Sequence, residues 1–375
     1  MKKIKILFAL TAILFAFAGC NSCNQNRPKE EIKIGAILPL TGESAFWGIN
    51  IKNGIELGVE EINNNGGVQG KTINIIYEDT KGDGKTGTEA IHKLITTDKV
   101  QAVIGDVISS VILAVAPIME KNKIPLIGFG ESVAITDAGD YIFRNWNSAA
   151  SDIKITSEYA AQHSNKMIVF SQNDAYGKSA KRLMQDYLVK NNIQIVFQSE
   201  FNKGESDFRT LITQFKNLDF DGIYMAGFHE EAIIFLKQCK ELNVKSVNIY
   251  GVSSWEENTL IDFIKANYTD KVFYGYPLPP ESNSTVVKSF TVDFQKKYNK
   301  APEILCDNGY DAIYQFKYAI EKAGAYDGEK IKDALYTLKD FEGASGKMSF
   351  DKNGDVDKPF GMKVITANGA EWLSK

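Results

Sequence analysis

From Ile32 onward the chain repeats one pattern: a short run rich in β-branched and aliphatic residues, then a stretch of helical periodicity with one apolar face. Ile32 to Leu38 is the first run, and Asn50 to Asn64 follows with Ile51, Ile55, Val59 and Ile62 on a single helical face. The alternation continues with strand 74–78, helix 87–97, strand 102–107, helix 110–121 and strand 125–129. A second series starts after Asn147: helix 152–163, strand 166–171, helix 178–190, strand 193–201, helix 207–218, strand 222–228, helix 230–242 and strand 247–252. Strands alternating with helices of this length join by right-handed crossovers, so the pattern predicts two α/β units, each a mainly parallel, doubly wound sheet covered on both faces. Residues 286–338 read as mostly helical, and short β runs at 347–350 and 361–365 close the chain.

The first twenty residues stand outside this pattern. Lys2, Lys3 and Lys5 precede an apolar run from Ile6 to Ala18, the layout of a secretory signal and shorter than a bilayer span. Its ending, Phe17-Ala18-Gly19-Cys20, resembles a bacterial lipobox, which makes Cys20 the expected lipidated first residue after cleavage of 1–19. Phe17 stands where Leu is usual. Residues 20–31 then read as a polar tether. Losing residues 1–19 removes three Lys and no acid, leaving 40 basic against 47 acidic residues and moving the net charge from -4 to -7. No basic stripe offsets that charge, which excludes a nucleic-acid footprint. With Cys20 assigned to the anchor, Cys23, Cys239 and Cys306 remain, and no essential disulfide is expected although a 239–306 bridge is open.

The usual catalytic constellations are missing. Gly82-Asp83-Gly84-Lys85-Thr86 ends like a phosphate loop, but the Gly required five positions before Gly84 is Asp79, so a polar loop entering a helix is the better reading. His92, His163 and His229 lack any metal-ligand spacing. Asp351-Lys352-Asn353-Gly354-Asp355 has the oxygens of a calcium loop without its closing Glu, since Met362 occupies that place, and reads as an Asn-Gly turn between β runs. Gly128 to Ser132 is no nucleophile elbow. It and Gly105 to Ser110 are instead strand ends running into small and hydroxyl residues, where open α/β sheets bind ligands and helix N-termini accept anions. An enzyme is not expected, nor any cofactor.

Several segments in order resemble the Leu/Ile/Val-binding proteins of bacterial ABC transporters. They are Ile34 to Gly42, Trp47-Gly48, Glu61 to Lys71, Val103-Ile104-Gly105 with Ser109-Ser110, Phe143-Arg144, Asp174-x-Tyr176-Gly177, Asp207-Phe208, Tyr310-Asp311-Ala312 and Phe350-Asp351-x-x-Gly354-Asp355. The resemblance implies the type I periplasmic-binding fold: two doubly wound Rossmann-like lobes joined by three crossovers, near Asn147, Pro277 and Phe360, that close on a ligand. It implies an N-terminal lobe of residues 32–147 plus 277–359 and a C-terminal lobe of 148–276 plus 360–375. Residue by residue, it implies that Ser109, with Ser110 beside it and Ser132 joining, holds a ligand carboxylate. Gly130 would give a carbonyl to the ammonium, and Trp47 and Tyr176 would wall the side-chain pocket. Phe228 falls where the family commonly has Tyr. The family's acidic partner for the ammonium falls at Ser253, so Glu256 or Glu257 reaches in, another acid such as Asp307 substitutes, or the ligand is not an α-amino acid. The implied protein is a lipid-anchored receptor outside the cytoplasm that hands a small amino acid, branched-chain or aliphatic, to an ABC permease. The other readings are a sensory module, or a receptor for a short amide, urea or an aromatic acid.

Overall fold

A computed structural model describes residues 30–269, 271–280, 284–356 and 358–373; the signal segment 1–19, Cys20 and Cys23 lie outside the described residues. The chain first builds β1 (Glu31–Leu38), α1 (Ala45–Asn64), β2 (Thr72–Asp79), α2 (Gly84–Lys93), β3 (Val103–Ile104), α3 (Ser109–Asn122), β4 (Leu126–Gly128) and β5 (Ile142–Arg144). These strands form one parallel sheet in the order β2-β1-β3-β4-β5. The chain then crosses to a second lobe. There it lays down α4 (Ala149–His163), β6 (Lys166–Gln172), α5 (Ala175–Lys190), β7 (Gln194–Phe201), α6 (Arg209–Phe215), β8 (Gly222–Ala226) and α7 (His229–Glu241). β9 (Asn248–Tyr250), α8 (Asn258–Asn267) and β10 (Val272–Pro277) complete this passage.

It returns to the first lobe with α9 (Thr285–Tyr298), α10 (Cys306–Ala323), α11 (Gly328–Tyr336) and the small hairpin β11 (Phe341–Gly343) and β12 (Gly346–Met348). A last crossing brings β13 (Phe360–Thr366) and β14 (Gly369–Trp372) to the second sheet, whose order is β14-β13-β10-β9-β8-β6-β7. The five strands β10-β9-β8-β6-β7 are parallel, while β13 and β14 run antiparallel at one edge. The protein is therefore α/β with two doubly wound lobes and three crossings. The crossings lie side by side: Arg144 N–H donates to the Gly354 carbonyl at 2.9 Å, and Leu278 N–H to that of Pro359 at 2.8 Å. Asn145 and Asn308 exchange amide-to-carbonyl hydrogen bonds at 3.1 and 2.7 Å, tying the first crossing to α10.

Several strands end earlier than their apolar runs suggest. The runs 102–107, 222–228 and 247–252 yield strands only to Ile104, Ala226 and Tyr250. The lost residues have left the sheet for the cleft between the lobes, where they turn into the following helices. β10 and α8 escaped the periodicity argument, and α1 begins five residues early at Ala45. The β runs 347–350 and 361–365 do not pair with each other but join different sheets. The 351–355 turn between them is real, with Asp351 Oδ1 accepting the Asn353 and Asp355 amides at 2.8 and 2.9 Å. Asp83 caps α2 by accepting the Thr86 amide at 2.9 Å, which accounts for the phosphate-loop lookalike as a helix start. Cys239 and Cys306 are both free and buried.

Each sheet has its own apolar core, and α10 closes the first lobe by lying along α1. That approach depends on glycine. A Cβ on Gly54 would run into the Cys306 carbonyl, and one on Gly309 into that of Ile51. Gly54→Ala must push two backbones apart, and we expect it to lower unfolding free energy by about 1–3 kcal/mol in urea titrations.

Candidate functional site: a cavity between the lobes

In a doubly wound sheet the strand order reverses at one point, and there the loops leaving neighbouring strands diverge to opposite faces and open a crevice. In the first sheet that point is between β1 and β3; in the second it is between β6 and β8. The two crevices face each other across one cavity of about 490 Å³, its mouth included. From the first lobe come Trp47 after β1, Val107, Ile108 and Ser109 after β3, Phe129 and Glu131 after β4, and Trp146 after β5. The second lobe adds Asp174 and Tyr176 after β6, Phe228 after β8 and Ser254 after β9, while Ile304 and Leu305 close the hinge side. Leu305 holds its place at the head of α10 on left-handed backbone, φ 69°.

The lobes touch around this cavity. Trp47 and Phe228 meet with ring centroids 6.4 Å apart, and Trp47 also lies edge-on to His229 at 6.0 Å. Lys203 Nζ donates to Ser44 Oγ at 3.1 Å at one rim, and the Ser132 and Ser179 hydroxyls are 3.0 Å apart at another. The walls are aromatic and aliphatic, and no lysine or arginine lines them among the described residues.

Of the residues singled out from sequence, Trp47, Ser109, Tyr176 and Phe228 line the cavity. Ser109 opens α3, which carries no side-chain cap, so the first amides of a 14-residue helix are left for a ligand. Its Oγ accepts the Ser132 amide at 3.1 Å, which leaves the hydroxyl proton available to an acceptor in the cavity. Ser132 stands behind Ser109 with its own hydroxyl turned to Ser179, and Ser110 lies outside the wall. The Gly130 carbonyl is approached by Arg144 Nη1 at 3.3 Å rather than lining the cavity. Ser253 is buried one step behind the wall.

The acid missing at position 253 has an answer that the sequence reading did not weigh. Glu131 reaches from the first lobe into the cavity, and Ser253 Oγ donates to its Oε1 at 2.6 Å across the cleft. Trp146 Nε1 donates to the same oxygen at 2.7 Å. Burial pushes the Glu131 carboxyl above the usual carboxylate range, against the hydrogen bonds from Ser253 and Trp146 and the pull of Arg144. None of the alternative acids does this work. Glu256 is paired with Lys363 and accepts from the Tyr274 hydroxyl, each at 2.5 Å, and Glu257 caps α8. Asp307 accepts its neighbour's amide at the start of α10 and lines a different cavity near Lys358. The sequence signal for Glu131 was its place at a strand end, between Gly130 and Ser132, where a charged side chain has no exposed helix face to occupy.

Arg144 organises this loop. It is buried to 1% and forms a two-pronged ion pair with Asp355, Nε to Oδ1 at 2.8 Å and Nη2 to Oδ2 at 2.5 Å, while Nη1 donates to the Ser132 carbonyl at 2.8 Å. The chain segment of the third crossing thereby fixes the backbone that carries Glu131. Arg144→Met takes the cation from Asp355 and a donor from the Gly130 and Ser132 carbonyls, and we expect a loss of about 3–5 kcal/mol in denaturant unfolding.

Two α/β lobes, three side-by-side crossings and one enclosed cavity built from both strand-order reversals define a clamp-type solute-binding protein. The chain belongs to the periplasmic binding protein family, whose profile matches residues 31–370. Among curated relatives, Leu/Ile/Val-binding protein homolog 3 of Brucella melitensis is 24% identical over 334 residues, covering 88% of this chain and 89% of that protein. Among solved structures, the branched-chain amino acid transporter substrate-binding protein LivJ of Streptococcus pneumoniae, in complex with isoleucine, is 26% identical with a TM-score of 0.82. That match covers 92% of this chain and 100% of that one. The leucine-binding protein LivK of Thermotoga maritima is 25% identical with a TM-score of 0.84, covering 92% and 98%.

Proposed function

We propose that this protein is the receptor of an ABC importer and captures a small aliphatic or branched-chain α-amino acid between its lobes. The observation that carries this reading is the opposition of two complementary features in one apolar cavity: the uncapped start of α3 and the Glu131 carboxylate. A ligand carboxylate on the Ser109 amide and hydroxyl, with an ammonium on Glu131, satisfies both ends. Trp47, Tyr176 and Phe228 then pack an aliphatic side chain. A plain aromatic or aliphatic acid has no ammonium to offer Glu131, and no lining lysine or arginine answers its own charge.

Closure follows as a movement of 32–147 plus 277–359 against 148–276 plus 360–375, since a ligand gripped by both lobes favours the closed state. The leader and Cys20 support export and a lipid anchor, which keep the receptor beside its permease on the outer side of the membrane.

Calorimetry of refolded, ligand-stripped protein tests the reading. Heat is expected with leucine, isoleucine or valine and none with benzoate, whereas benzoate binding without amino-acid binding overturns it. Ser109→Ala is expected to weaken amino-acid binding by about 1.5–3 kcal/mol, the worth of a hydrogen bond to a charged group. Glu131→Gln is expected to cost about 2–5 kcal/mol by leaving the ammonium without its counter-charge.

A further inference from the structure

Glu131 does not stand alone behind the cavity wall. Ser253, whose hydroxyl donates to Glu131, gives its backbone amide to Asp152 Oδ2 at 2.9 Å, so one residue touches two carboxylates. Asp152 is 1% exposed in the first turn of α4 and accepts Thr156 Oγ1–H at 3.1 Å. A Cβ on Gly275 of β10 would collide with its Oδ1, so the hinge strand packs directly on it. Asp152 makes no ion pair among the described residues. The groups facing the pair are Arg144 from β5, already spent on Asp355, and Tyr176, Tyr224 and Tyr276 from α5, β8 and β10. The Tyr176 and Tyr224 hydroxyls are buried, and neither has a hydrogen-bond partner among the described residues. Asp174, the other acid of the wall, is occupied as the cap of α5, accepting the Gly177 amide at 2.7 Å.

Two buried carboxylates joined through one serine, with no cation of their own, cannot both stay ionised cheaply. We propose that the Glu131–Ser253–Asp152 group holds a shared proton when the cavity is empty, and that an incoming ammonium takes the proton's place. This rests on the amino-acid reading above. The exchange balances: the singly protonated Glu131–Asp152 pair and the ligand's ammonium give two carboxylates, that of Glu131 paired with the ammonium, and one proton released to solvent. Asp152 is a positioning residue here. It lies behind the wall, out of reach of the ligand, and through Ser253 it shares one proton with Glu131 until an ammonium arrives. Burial raises both carboxyls, Asp152 strongly, and the charge of Glu131 raises Asp152 further. A group whose pKa falls on binding makes affinity rise with pH as long as the free form is protonated, by at most about tenfold per pH unit for one proton. The device selects for amines, because a ligand without positive charge has nothing to exchange for the proton.

The test is isothermal calorimetry of wild type with L-leucine at neutral pH in buffers of different ionisation enthalpy. About one proton released per leucine is expected, with binding weakening toward acidic pH. Asp152→Asn should keep leucine binding but cut the proton count and move the pH dependence to lower pH, a change that a purely structural role of Asp152 would not produce. Leucine heat that is the same in every buffer overturns the inference while leaving the amino-acid reading intact. Absence of heat with every amino acid removes that reading instead. In that event infrared difference spectra of ligand-free wild type against Glu131→Gln decide the inference alone. A lost carboxylic-acid C=O band at neutral pH supports the proton, and its absence overturns it.

Discussion

A carboxylate removed from water must find positive charge, collect hydrogen bonds or keep its proton, and the interior of this protein is arranged around one such group. Glu131 sits where both lobes meet. It accepts hydrogen bonds from Trp146 of its own lobe and from Ser253 of the other, and the nearby Arg144 is committed to Asp355. The protein thus supplies partial compensation and leaves full neutralisation to something that enters the cavity. The same hydrogen bond that eases the burial of Glu131 crosses the cleft, so the charge of the site and the closure of the lobes are linked through one contact.

The fold makes that placement possible. Parallel strands joined by right-handed crossovers leave a crevice only where strand order reverses, and this chain puts two such crevices face to face. Residues that extend the apolar runs, at 105–107, 227–228 and 251–252, have left the sheets, and Val107 and Phe228 among them line the wall. Arg144 carries the arrangement back to the hinge, because its partner Asp355 lies on the third crossing. A mechanical element and a binding element therefore share one ion pair.

Much of this was legible in the sequence. The three-and-four spacing of Ile51, Ile55, Val59 and Ile62 defines α1, and the βα alternation defines two parallel sheets, because local periodicity reflects which face is buried. Ser109 follows from the rule that ligands meet strand C-termini, whereas Trp47, Tyr176 and Phe228 came only through the resemblance to the Leu/Ile/Val-binding proteins; all four line the cavity. Strand lengths were not legible, since an apolar residue reads alike whether it packs in a sheet or lines a cavity. Glu131 was legible only as an acid at a strand end, not as an inward-facing one. Nothing local distinguishes an acid on an exposed turn from one folded inward, and its partner Ser253 is 122 residues away. The serine at 253 looked like a lost acid, and only the tertiary contact shows the carboxylate arriving from the opposite lobe.

The most direct test of this account is a crystal structure of the protein with bound leucine. The account predicts the ligand nitrogen within about 3 Å of a Glu131 carboxylate oxygen and the ligand carboxylate within about 3 Å of the Ser109 amide, with Ser253 still bridging to Glu131. A ligand bound in the cavity with its nitrogen away from Glu131, or with its carboxylate on the second lobe, would contradict it.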